Sequence, residues 1–135
     1  MELIGHLLLT GALFGFSLFL LFGVIAPDFL YVLAYLHKKN KRIHLLGEYL
    51  HSIFLAPLIV LAALIIHSNH MMLFGYGYGT HIITDLFVHR EEGSRYLYPF
   101  TKRKIKSGPF YWKNKKFIII TYFILIALLI IRYRL

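Results

Sequence analysis

The pattern of apolar and basic residues predicts an all-α integral membrane protein: one membrane domain, residues 1–135, built as a bundle of about four transmembrane helices. Three observations predict it. The chain is 59% hydrophobic with a mean hydropathy of +0.66, more apolar surface than so small a core can hide. Its apolar residues gather into runs that approach the roughly 20 helical residues needed to cross a bilayer. Its 15 Lys and Arg, set against 6 Asp and Glu, cluster between those runs.

The first expected span covers residues 3–27, interrupted only by small residues, His6, Thr10 and Ser17. It does not read as a signal peptide, because Glu2 replaces a basic leader and no small-x-small cleavage site follows. A short apolar extension leads to the basic connection 37–42. The second span is expected over 43–66, a tight polar link over 67–70, and the third span over 71–89. The long polar connection 90–116 then precedes the fourth span, 117–131. Small residues in Gly75-Tyr76-Gly77-Tyr78-Gly79 suit close helix packing. Phe110-Tyr111-Trp112, between lysines, suits an interface.

Charge placement orients these spans. The two connections 37–42 and 90–116 carry four and nine positive residues, the link 67–70 none, and the C-terminus two. The positive-inside rule therefore puts both connections in the cytoplasm of a bacterial or archaeal cell, in its inner (cytoplasmic) membrane, with both termini outside. The basic residues then serve topology and contact with anionic lipid headgroups. Nucleic acid is not expected as a partner, because no recognition motif accompanies the charge. The absence of Cys excludes a disulfide scaffold and any thiolate metal site.

Ionisable groups inside apolar runs are costly and mark functional sites. On the second span His44, Glu48 and His51 share one helical stripe. On the third, His81, Asp85 and His89 share another. At 1.5 Å per residue, His51 and His81 each lie about 12 Å from the cytoplasmic end of their span. Antiparallel neighbours would bring these stripes together at matched depth, within reach of Asp28. Imidazoles and carboxylates converging in a low-dielectric bundle favour a bound cation. Mixed nitrogen and oxygen donors suit a divalent metal, with zinc or manganese foremost.

The pieces Gly5-His6, Ala26-Pro27-Asp28, Leu50-His51-Ser52, Gly79-Thr80-His81-Ile82-Ile83-Thr84-Asp85 and Gly93…Leu97-Tyr98-Pro99-Phe100 occur in that order. The series resembles the LexA-regulated inner-membrane metal-dependent hydrolase family over about residues 5–105. That family has Gly-His, Pro-Asp-x-Asp, Thr-His-Ser, Gly-x-x-x-His-x-x-x-Asp and Gly…Tyr/Trp-Pro-Phe. The resemblance implies that Asp28, His51, His81 and Asp85 are metal ligands and that the activity is hydrolysis of a lipid-linked ester or phosphoester. Leu30 stands in place of the second Asp and Leu50 in place of the Thr. Only 21 residues separate His6 from Asp28. One span fits that gap, which puts His6 on the outer face, about 33 Å from Asp28 and outside the ligand set.

The expected mechanism uses one divalent metal to acidify a water. Glu48 is the candidate general base or a fourth or fifth ligand, and His44 or His89 the candidate proton donor to the leaving group or support of a ligand. Arg95, Lys102 and Arg103 are candidates for gathering an anionic lipid headgroup. The rival reading is a non-enzymatic polytopic protein that handles protons or metal ions, or mediates assembly, and whose His-carboxylate network is structural.

Overall fold

A continuous apolar run becomes one helix only where its backbone stays in the right-handed region, and the first run does not. Gly15 has φ of +83°, a conformation that costs other residues a steric clash. Its N–H donates to the Gly11 carbonyl at 2.9 Å, closing the helix behind it. The expected single span 3–27 is therefore two helices, α1 (Leu3–Phe14) and α2 (Leu18–Leu36). The computed structural model describes residues 3–36, 46, 47, 49–88, 95–101, 103–106, 108, 109 and 114–134. Among them the remaining long helices are α3 (Leu55–Ile65), α4 (Asn69–Val88) and α5 (Lys115–Arg134), with no strand.

The expected second span, 43–66, is also broken. The backbone is helical at 46, 47, 49 and 50, opens over 51–54, and resumes as α3. The opening is satisfied from outside. The Ile53 N–H donates to the Tyr96 carbonyl at 2.9 Å, and the Ser52 hydroxyl donates to the Tyr98 carbonyl at 2.5 Å. Pro57 then sits in the first turn of α3, where a missing N–H costs nothing. Helices α4 and α5 cover the third and fourth apolar runs, with ends one to three residues from the bounds read from the sequence.

Helices α2 and α4 form the most extensive contact. Glycine permits it: a Cβ on Gly23 would collide with the Phe74 carbonyl, and one on Gly77 with the Leu20 carbonyl. Gly75 similarly admits Val60 of α3. Phe14 stacks on Tyr76 and Phe19 on His70, so the α1–α2 turn lies against the beginning of α4. Helix α5 meets α1 at that same end. There Arg132 donates to the Ala12 and Leu13 carbonyls at 3.3 and 3.0 Å, and the Phe16 N–H donates to the Tyr133 hydroxyl.

The described helices thus alternate in direction. His6 of α1 lies beside Asp85 near the end of α4, whereas Phe16 meets Tyr133 near the end of α5. Among the described residues α5 is the helix long and apolar enough to cross a membrane, whereas α1, α3 and residues 18–29 of α2 are shorter apolar pieces. Four such helices were expected; the backbone breaks at 15–17 and 51–54 shorten two of them.

Candidate metal centre

His81 and Asp85 stand one turn apart on α4, so their side chains share a face. His81 Nε2 lies 3.3 Å from Asp85 Oδ2 and 3.6 Å from Asp28 Oδ1. Asp28 follows Pro27 within α2, whose missing N–H leaves the Gly23 carbonyl without its helical donor. His51 comes from the opened backbone before α3, with Nε2 3.8 Å from the same Asp28 oxygen. Its Nδ1 lies 3.0 Å from the Gly47 carbonyl. That contact fixes the ring as an Nδ1–H tautomer and leaves Nε2 as a lone-pair donor.

The fifth member is His6, from α1. Its Nε2 lies 3.1 Å from Asp85 Oδ1, and its ring stacks on His81 with centroids 4.2 Å apart. Two overlapping groups result, His6–His81–Asp85 and Asp28–His51–His81. Within each group the candidate donor atoms all lie within 4.8 Å of one another.

These donors fit a metal ion. Both ring nitrogens of His81 and Nδ1 of His6 are buried without a hydrogen-bond partner. Interior polar atoms are rarely left so, because their desolvation is uncompensated. Two donors on one tetrahedral zinc, with bonds of about 2.1 Å, stand roughly 3.4 Å apart. The contacts from 3.1 to 3.8 Å bracket that spacing. Four side chains are at most 7% exposed, whereas Asp28 is 39% exposed, so the cluster opens to the outside beside Asp28.

Aromatic residues hold the frame. Tyr78 donates its hydroxyl to the Leu50 carbonyl, next to His51. Tyr49 and Tyr98 pair through their hydroxyls, and Phe54 meets Phe100 edge-on. Tyr78, Ile82 and Tyr96 form a buried cluster beside His81.

Of the four residues expected as metal ligands, Asp28, His51 and His81 form one group, and Asp85 joins His81 and His6 in the other. The residues expected for proton transfer, His44 and Glu48, lie outside the described residues, as does His89. The placement of His6 on the far face is corrected, since the α1–α2 turn folds it back onto Asp85. Its signal was Gly15, the one glycine of the first run with positive φ.

A family model for zinc dependent phospholipase C matches residues 2–119. No curated protein and no solved structure matches the chain. This family replaces the LexA-regulated one that the motif series resembles, while the hydrolase character implied by the series stands. The cofactor is accordingly a divalent metal ion, and zinc is the ion that the family takes. The chain belongs to the zinc dependent phospholipase C family.

Proposed function

We propose that the protein is a zinc-dependent hydrolase that cleaves a phosphoester bond of a membrane lipid while itself embedded in the bilayer. One observation carries the reading: three imidazoles and two carboxylates meet around shared donor positions, with buried nitrogens that no protein group satisfies. His6, Asp28, His51, His81 and Asp85 would hold the ion. Bound zinc supplies an acidified water and polarises a phosphoryl oxygen.

The protein residues do the rest. Gly47 aims His51 through its carbonyl. Asp85 faces His6 with one oxygen and His81 with the other, fixing both rings. Asp28, the exposed member, stands where substrate and water arrive. Burial of the other four keeps bulk water from them.

Embedding in the bilayer is supported by α5. Ile119, Ile120, Phe123 and Ile124 are more than half exposed, and Lys115, Lys116 and Arg132 flank the apolar stretch. Leu58, Leu61 and Ile65 on α3 extend the apolar surface. The rival reading, a structural His-carboxylate network, leaves Nδ1 of His6 and Nδ1 of His81 without a hydrogen-bond partner.

The test is elemental analysis of detergent-purified protein, followed by release of phosphorylated headgroup from phospholipid in mixed micelles. Bound zinc and a headgroup release that stops with chelator and returns with zinc are expected. Protein that binds no zinc, and whose melting temperature ignores chelation, overturns the reading.

A further inference from the structure

Where a helix stops, the carbonyls of its last turn lose their donors and must find others. The turn that leads into His51 stops in this way: its backbone is helical at 46, 47, 49 and 50 and opens at 51. A continued helix would direct the Phe54 N–H at the Leu50 carbonyl. That N–H donates instead to the Ser52 hydroxyl, at 3.4 Å. The replacement donor for Leu50 comes from 28 residues further along the chain, the hydroxyl of Tyr78 on α4.

Tyr78 is 2% exposed, and its ring belongs to the buried cluster with Ile82 and Tyr96. A buried phenol needs a partner for its O–H. The ring alone would pack as a phenylalanine does, so the hydroxyl has a separate task. Its acceptor is the carbonyl of the peptide that runs directly into His51. Tyr78 also stands three residues before His81, as its neighbour on the surface of α4. One helix therefore carries both an imidazole of the Asp28–His51–His81 group and the tether of the other imidazole.

Two contacts divide the work on His51. The Gly47 carbonyl, 3.0 Å from Nδ1, sets the rotation and tautomer of the ring. Tyr78 sets the peptide from which that side chain departs. With the first contact alone the ring keeps its tautomer, but Nε2 drifts from the position that it shares with Asp28 and His81.

We infer that Tyr78 is a positioning residue of the metal centre, whose hydroxyl holds His51 in reach of an ion shared with His81 and Asp28. The inference rests on the metal centre and not on the proposed lipid hydrolysis, since metal binding is read without turnover. The alternative is a hydroxyl that only steadies the fold, and the two differ in what they do to the metal.

The test measures the zinc affinity of the full chain in detergent, by competition with chelators of graded strength. It compares the wild type, Tyr78→Phe, His51→Ala and the double variant. Leu125→Ala empties a buried position on α5, a helix without a metal donor, and is the reference for lost stability alone. Tyr78→Phe is expected to bind zinc roughly 10–100-fold more weakly than the wild type, the range for contacts that orient a ligand. Leu125→Ala is expected to keep the wild-type affinity while its melting temperature falls. In the His51→Ala background the Tyr78→Phe change is expected to have no further effect, because the ring it positions is gone. With cobalt in place of zinc, the visible absorption bands of Tyr78→Phe are expected to move, a mark of altered ligand geometry that Leu125→Ala does not share. If His51→Ala abolishes binding, the cobalt spectra decide alone. An unchanged zinc affinity in Tyr78→Phe, an equal loss in both backgrounds, a matching loss in Leu125→Ala or superimposable cobalt spectra overturn the inference. A wild type that binds neither metal overturns the metal centre together with it.

Discussion

The ring of His6 lies flat on that of His81, with centroids 4.2 Å apart, while its Nε2 faces Asp85 at 3.1 Å. A residue near the start of the chain thus completes a group whose other members sit on α4. His6→Ala should weaken zinc binding by at least 10–100-fold, the range seen when even indirect ligand contacts are cut. Competition with a coloured chelator measures it. An unchanged affinity would make His6 a packing residue only.

How the sequence encodes this arrangement differs from residue to residue. His81 and Asp85 are legible because an i, i+4 spacing puts both on one face. His51 and Asp28 are legible from depth, since antiparallel neighbours must bring equal depths together. His6 is not, because hydropathy carries no mark of a turn inside an apolar run. The break rests on the backbone freedom of Gly15, and a glycine in an apolar run equally marks close packing, as Gly23 and Gly77 do here. The opening at 51–54 is hidden for a similar reason: its hydrogen-bond partners, Tyr96 and Tyr98, are more than forty residues away in the chain.

Acid should strip the metal. The three imidazoles must be deprotonated to bind zinc, so affinity rises with pH and is lost as each ring takes up a proton. Zinc should stay bound at neutral pH and be released progressively as the medium is made acid, because protons then compete for the ligand nitrogens. Zinc content after dialysis at stepped pH reads this. Retention at pH 4 would mean that the imidazoles are not ligands.

Ser52 ties the loop at Tyr98 to the residue next to His51, through a hydroxyl donated at 2.5 Å. Ser52→Ala removes that hydrogen bond and should cost about 1 kcal/mol of stability. The larger effect is expected on turnover, a loss of roughly tenfold, because misplacing a supporting group by about 1 Å costs up to about a hundredfold. Zinc content should fall little, since Gly47 still holds the ring. A full loss of zinc would make Ser52 essential to folding of the loop.

The α2–α4 contact offers a test of the fold that is independent of chemistry. Gly77→Ala puts a methyl group against the Leu20 carbonyl, where backbone cannot yield as a flexible side chain would. Overpacking of this kind costs about 1–3 kcal/mol, so the melting temperature in detergent should fall by several degrees. Gly79→Ala meets only the Ala56 side chain at ordinary contact distance and should be near neutral. Equal effects at the two positions would disprove the close α2–α4 approach.

Arg132 provides the longest-range test, because it touches no member of the metal centre. Its guanidinium donates to the Ala12 and Leu13 carbonyls, which close the last turn of α1 and have no donors from within that helix. His6 stands six residues before Ala12 on the same helix, about 9 Å along its axis. A helix moves as a rigid unit over that length, so loosening its far end displaces His6 relative to Asp85. Arg132→Ala should lower stability by about 1–3 kcal/mol and weaken zinc binding several-fold. A stability loss acting elsewhere would add to the effect of His6→Ala on zinc affinity. If Arg132 acts through the position of α1, the double variant should bind zinc no more weakly than His6→Ala alone. Strict additivity in that cycle would show that α5 steadies the bundle without positioning the histidine.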